Sequence, residues 1–523
     1  MMMLPNLSRR RPRPRLLENY RCELQSLLGR RRRRGRERER RQRRTGFTRL
    51  MLVSAIFALT GCAHVDPNPA FQELANTVHL RTGKRVQWNR GGAEDAGAQS
   101  AVASLLSRPL TAGSAVQIAL LNNHKLQATY EELGIAQADL VEAGLLRNPI
   151  FTFERRLPGQ ALEMDVLKEF IDILLLPLRK RIAAAQFEAA KLRVGHEILN
   201  LAGEVRAAFY EHQGDQQLVD LRTTVAVATE RSAESALRMH EAGNLKNLDL
   251  ATEQALHAQA KIELSKAQSE ATQSREQLNK LMGAFGEQTN WTVASRLPDL
   301  PGDEVSISQL ESRAIRQRLD LAADRQDFIA QARSLGIARA DAILQQTEIG
   351  GHYEREISGE YSIGPSVNVP IPIFNQGQAA FARAGAKLRQ SQQRYLALAA
   401  DIRSDVRAAR DRMLLARQQV EYFKSTALPT RTRVTEESQL EYNAMQIGPL
   451  QLLQAKQEEV KTGADSVEAL RDYWVARAEL EKAAGGSLSG PLSWSSSSSS
   501  SKELFQNEGG RGRRRAGGGG GGD

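Results

Sequence analysis

Cysteine is nearly missing from this chain: two residues, Cys22 and Cys62, occur in 523. Both lie far from any histidine cluster, so neither a disulfide framework nor a zinc site can be built from them. Aromatic residues make up only 5%, which argues against a conventional sandwich core. Catalytic signatures are missing too. The histidines, His64, His79, His124, His196, His212, His240, His257 and His352, show no H-E-x-x-H or other ligand spacing. No G-x-S-x-G, Walker or G-x-G-x-x-G element stands between a strand and a helix. These gaps predict a protein that is not an enzyme and uses no cofactor. Met239, Met282, Met413 and Met445 offer soft sulfur of the kind copper(I) prefers, but single methionines on helices are packing residues as a rule, and no metal site is expected.

What is present is 41% hydrophobic and 25% charged, enough for a large core or several domains. The middle is rich in Ala, Leu, Gln, Glu and Arg, which lose least on entering a helix, and long helices follow. The formal charge of +11 sits largely in a dense basic tract, Arg9 to Arg44. Residues 1–48 read as a disordered basic extension outside the mature protein, and no nucleic-acid partner is expected. The Ser/Gly-rich tail, 487–523, cannot bury a core and reads as disordered.

Between these ends, Arg49, the apolar run Leu50 to Leu59 and the string Leu59-Thr60-Gly61-Cys62 have the n-region, h-region and small-residue cleavage pattern of a secretory signal, placed at 49–61. The run is too short to cross a membrane as a helix, which needs about 20 residues. Leu-Thr-Gly-Cys resembles a bacterial lipobox. That resemblance implies acylation (palmitate class) of Cys62 as first mature residue, a natural start near Met51, and, with Ala63 following, routing to the outer membrane.

The chain also repeats itself. Leu133-Gly134-Ile135-Ala136 recurs 202 residues on as Leu335-Gly336-Ile337-Ala338, and His240 through Leu250 aligns without gaps on Tyr442 through Leu452 at the same offset. Between them, Ala190-Lys191-Leu192-Arg193 matches Ala386-Lys387-Leu388-Arg389. Three collinear matches predict two copies of one structural unit, set at 109–300 and 301–486 after a mature N-terminal segment, 62–108.

Each copy has the same predicted order. A helix over about 115–146 or 317–346 comes first, the former ended by Asn148-Pro149. The apolar period then changes to two. Thr347, Ile349, Tyr353 and Ile357 alternate with Glu348, His352, Glu354 and Glu356; Ser358-Gly359 turns the chain; Tyr361, Ile363, Val367, Val369 and Ile371 alternate with Ser362, Gly364, Ser366 and Asn368. In the first copy Phe151 and Phe153 oppose Thr152 and Glu154, and Leu162, Met164, Val166 and Phe170 oppose Glu163, Asp165 and Glu169, with Lys168 interrupting. Each pattern is a hairpin with one oily and one polar face. After Pro177 or Pro372 comes a very long helix, about 63 residues and near 95 Å from Arg179 to Glu241. A break follows at Gly243 or Gly448-Pro449, then a returning helix to about Met282 or Ala484. Pro429 is expected to bend or interrupt the second copy. Helices this long need coiled-coil-like partners.

Four amphipathic strands cannot stand alone: their sheet keeps two edges and an uncovered oily face. In lipid the oily face is satisfied, but each unpaired edge group costs several kcal/mol, so the sheet must close. Transmembrane barrels start near about eight strands. Closure therefore needs several chains, with the Glu-rich faces lining a wet lumen.

The duplicated order of helix, strand hairpin and long helical hairpin, the Pro177-Leu178 and Pro372-Ile373-Phe374 junctions, and the lipobox together resemble the TolC family of outer-membrane efflux ducts over about Cys62 to Gly486. The resemblance implies a mainly α fold with a small β part, in which long periplasmic helices form an α-barrel tunnel. It implies a homotrimer whose roughly twelve strands close one barrel in outer-membrane lipid. It further implies a periplasmic adaptor (membrane fusion protein) meeting the hairpin tips, and an inner-membrane pump supplying the energy. The heavy-metal branch of copper or cobalt-zinc-cadmium exporters looks nearest, so metal cations are the expected cargo. Carried onto this sequence, the tips fall at Glu241, Gly243, Asn244, Leu245 and Asp249, and at Met445, Gln446, Ile447, Gly448 and Pro449. There Gly243 and Gly448 would permit the reversals, Leu245 and Ile447 would touch the adaptor, and Glu241 or Asp249 would ring the entrance. Glu154, Glu163, Asp165, Glu348, Glu354 and Glu356 would line the barrel. The alternative is a periplasmic adaptor or coiled-coil interaction lipoprotein, which should instead carry a lipoyl-like β domain flanking a single hairpin.

Overall fold

The computed structural model describes residues 65–488, apart from 157–160, 303–308, 345–346, 370 and 372. The basic extension, the signal segment, Cys62, Pro372 and nearly all of the tail lie outside the described residues.

Two helices, α1 (Asn68–Thr82) and α2 (Ala93–Leu106), precede the first copy, which runs α3 (Ala112–Asn122), α4 (His124–Ala143), β1 (Ile150–Arg156), β2 (Ala161–Glu169), α5 (Phe170–Glu241) and α6 (Asn247–Met282). The second copy repeats that order as α7 (Leu310–Gln317), α8 (Leu319–Leu344), β3 (Glu348–Arg355), β4 (Tyr361–Asn368), α9 (Gln378–Tyr422), a π turn (Phe423–Ala427), α10 (Leu428–Asn443) and α11 (Pro449–Ala483).

Several boundaries differ from the sequence expectation, each for a local reason. The helix expected over 115–146 is two helices. Asn123 leaves the helical backbone and its side-chain oxygen accepts from the Leu126 N–H at 3.1 Å, while its amide donates to the Leu281 carbonyl at 2.8 Å. An asparagine that caps so well outcompetes helix continuity. Arg318 makes the matching break in the second copy, its guanidinium donating to Asp320 at 2.6 Å. Helix α4 stops at Ala143, capped by Gly144, before Asn148-Pro149 is reached.

The long helix α5 starts at Phe170, so Pro177 lies inside it rather than at its entrance; its 72 residues span about 108 Å. Pro429 does not break the second long helix. The π turn immediately before it widens the backbone around Ser425, whose carbonyl would otherwise meet the proline ring, and α10 continues from Leu428.

Each copy holds its own core. In the first, Tyr130, Leu133, Ile198, Leu278 and Met282 are fully buried, and Val78 and the rings of Phe71 and Trp88 from the preceding segment join them, Phe71 and Trp88 each touching Tyr130. In the second, Ile402, Met413, Tyr473 and Leu480 play the same part. The copies meet where α5 passes α8 and α11. A Cβ on Gly203 would lie 2.7 Å from Lys482 Cβ, and one on Gly214 2.6 Å from Arg471 Cγ, so these glycines set how closely α5 and α11 approach. Arg471 also donates to Asp215 at 3.0 Å across the same seam, and Lys482 donates to Glu204 at 2.8 Å.

A third junction is the sheet. Its order is β1-β2-β3-β4, antiparallel throughout, so β2 of the first copy pairs with β3 of the second. Among the described residues, β1 and β4 each have a strand neighbour on one side only.

Candidate pore face and hairpin tips

The register sorts the strands into two chemically distinct faces. Glu154, Glu163, Glu354 and Ser362 lie opposite one another in one row; Thr152, Asp165, His352 and Gly364 form the next; Glu169, Glu348 and Asn368 lie further along. Ile150 and Leu167 are apolar members of this otherwise polar face. On the other face Phe151 pairs with Val166, Phe153 with Met164, Met164 with Tyr353, and Tyr353 with Ile363. This oily face is bare: Phe151 is 63% exposed, Ile363 73% and Val367 63%. Exposed Arg155 and Arg355 mark its end towards the hairpin turns, while Lys168 at the other end is drawn to Asp172 at 3.4 Å. Exposed cations at the turn end of an apolar band can reach past it to headgroups and water.

Glu154, Glu163, Asp165, Glu348 and Glu354 thus share the polar face. Glu356 does not belong to a strand: it opens the turn, where its N–H donates to the Glu360 carbonyl at 2.9 Å and Gly359 takes φ +87°. His352 Nδ1 lies 2.7 Å from Asp165 Oδ1 and its Nε2 3.7 Å from Glu354 Oε2.

The two hairpin tips use one backbone device with different residues. At the first, Gly243 takes φ +79°, its N–H donating to His240 O at 2.8 Å, and Asn244 N–H reaches back to Met239 O at 2.8 Å. At the second, Met445 takes φ +58°, its N–H donating to Tyr442 O at 2.9 Å, and Gln446 N–H donates to Glu441 O at 2.9 Å. Both are Schellman caps. The reversal expected at Gly448 is therefore made by Met445. Gly448 has φ −83°, an extended conformation open to any residue, and caps α11 with Pro449 as its first residue and the Gln451 side chain accepting from its N–H at 3.1 Å. The gapless offset pairs Gly243 with Met445, and that was the available signal. Leu245 and Ile447 are half-buried within the tips; Leu248, 75% exposed, and Met445, 93% exposed, project instead. Glu241 is exposed and Asp249 half-buried in the first turn of α6, where the helix dipole favours its charge.

Sequence reasoning missed a buried carboxylate where strand passes into long helix. Asp172 sits in the apolar run that opens α5, accepts from the Arg147 N–H at 3.0 Å and pairs with Arg179 at 2.8 Å and Lys168 at 3.4 Å. Burial alone would raise its pKa, but these donors outweigh it and hold the carboxyl below its ordinary range. Further along α5, His212 is buried against Trp291 with Ser274 at 3.2 Å; burial first, then Arg275, holds its imidazole neutral at pH values where a free one would charge.

No protein-family model matches the chain. It is similar to the cobalt-zinc-cadmium resistance protein CzcC of Cupriavidus metallidurans, 23% identical over 356 residues that cover 66% of this chain and 83% of that protein. Among solved structures, the Campylobacter jejuni CmeC outer membrane channel superposes with a TM-score of 0.63 at 15% identity, over 73% of this chain and 87% of that one. CusC, described for transmembrane channel formation, gives 0.61 at 15% identity, over 74% and 92%. With its duplicated unit, its four-stranded sheet and its paired long helical hairpins, the chain has the TolC-type fold of the outer-membrane channels.

Proposed function

We propose that this chain is the outer-membrane duct of a tripartite export system, a passive channel without catalytic chemistry. The observation that carries this reading is the sheet: an uncovered apolar band with cations at its turn end, a polar reverse face, and, among the described residues, β1 and β4 without a strand neighbour along one side. Such a sheet is stable in lipid only as an arc of a closed barrel, and three copies would give about twelve strands.

In this reading the units 109–300 and 301–486 each supply one strand hairpin and one helical hairpin, and the segment 62–108 braces the first. Cys62 anchors the chain by acylation. The tips at Glu241, Gly243, Asn244, Leu245 and Asp249 and at Met445, Gln446, Ile447, Gly448 and Pro449 meet the adaptor, through which an inner-membrane pump delivers cargo. Glu154, Glu163, Asp165, Glu348 and Glu354 line the barrel and favour cations over anions. The cargo is divalent metal cations, the class for which the Cupriavidus relative is named.

Purified protein in planar bilayers tests this. Stepwise, cation-selective KCl currents are expected, and protein that stays soluble without detergent and never conducts would end the reading. Incorporation of labelled palmitate, abolished by Cys62→Ser, tests the anchor separately.

A further inference from the structure

On the polar face, the two central strands crowd four donors into one patch. Glu163 and Asp165 lie two residues apart on β2, and Glu354 and His352 stand directly opposite them on β3. Glu154, Glu163 and Glu354 are opposed in one row across three strands. Beside that row His352 is drawn to Asp165 at 2.7 Å, and ligand atoms of Glu163, Asp165 and His352 all come within 4.8 Å of one another. All four side chains are half-buried, held by the sheet yet open to the polar side.

We propose that Glu163, Asp165 and His352, with Glu354 completing the patch, form a transit site for a borderline divalent cation, zinc or cobalt, on the pore-facing side of the sheet. The donor chemistry selects the ion. One imidazole nitrogen with carboxylate oxygens suits zinc and cobalt, whereas copper(I) asks for sulfur, and Met164 points to the opposite, oily face. The open setting keeps affinity modest, as a conducting site requires.

The inference rests on the channel reading for its purpose but not for its test. Full-length protein in detergent is titrated with Co²⁺ alone at neutral pH, following the visible absorption of protein-bound cobalt. The same protein in bilayers is exposed to Zn²⁺ while carrying KCl current. Wild type should bind Co²⁺ and show Zn²⁺-dependent block. His352→Gln and, separately, Asp165→Asn should each weaken both by about tenfold or more, with unchanged circular dichroism, and His257→Gln should change neither. Equal Co²⁺ binding by wild type and both variants, or none by wild type at millimolar metal, overturns the site. KCl current without Zn²⁺ sensitivity removes the site and keeps the channel; Co²⁺ binding without current does the reverse.

Discussion

Met445 adopts a left-handed backbone that glycine takes freely and other residues rarely do, and 93% of its surface is exposed. Left-handed geometry costs an L-residue roughly 1–2 kcal/mol. Glycine would remove that cost but give back about 0.5–1 kcal/mol in chain entropy. Because the side chain packs on almost nothing, no contact is lost, and Met445→Gly should stabilise the tip by about 0.5–1 kcal/mol. Amide exchange reads this locally, through the Met445 and Gln446 N–H groups that the cap protects. Exchange at both should slow by about two- to fivefold. Gly243→Ala, at φ +79°, should speed exchange at Asn244 by a similar factor. Unchanged or faster exchange in Met445→Gly would refute the strain. In cells, the same variant should lower export if the methionine is retained at the tip for adaptor contact.

Three further outcomes follow from the packing and the charges. Ile363→Lys, on the bare oily face, should cost about 2–4 kcal/mol of membrane insertion and deplete the protein from outer-membrane fractions, while Ser362→Lys on the polar face should not. Gly214→Val drives a side chain into Arg471 and should cost about 1–3 kcal/mol, lowering Tm, whereas Gly463→Ala, with open space around its Cβ, should hold or raise it. Since His212 holds its proton more weakly folded than unfolded, its stability contribution is full above its ordinary value of 6.5 and falls as pH drops towards the folded value. Thermal unfolding between pH 7.5 and 5 should therefore show a downward slope that His212→Gln flattens; parallel slopes would contradict it.

The architecture was legible because it is written in periods. Alternation along Tyr353, Tyr361 and Ile363 separated oily from polar positions, and the structure pairs them in register. The 202-residue offset located both hairpins. Local competition was harder to read. Asn123 and Arg318 break helices through their own side-chain hydrogen bonds, and Pro177 is tolerated inside α5. Pro429 is absorbed by a π turn that no residue pattern announces. At the second tip, a glycine was expected to make the turn, yet cap geometry placed the left-handed residue at Met445, three positions earlier. Pairing of β2 with β3 was equally hidden, because it joins residues as distant as Glu163 and Glu354. The meeting of His352 with Asp165 depends on it.

The subunit count of the detergent-solubilised full chain, from native mass spectrometry, bears most directly on whether this sheet is an arc of a shared barrel. Three copies in one particle is the expected mass. A single copy that keeps its sheet ordered after detergent removal would contradict the account.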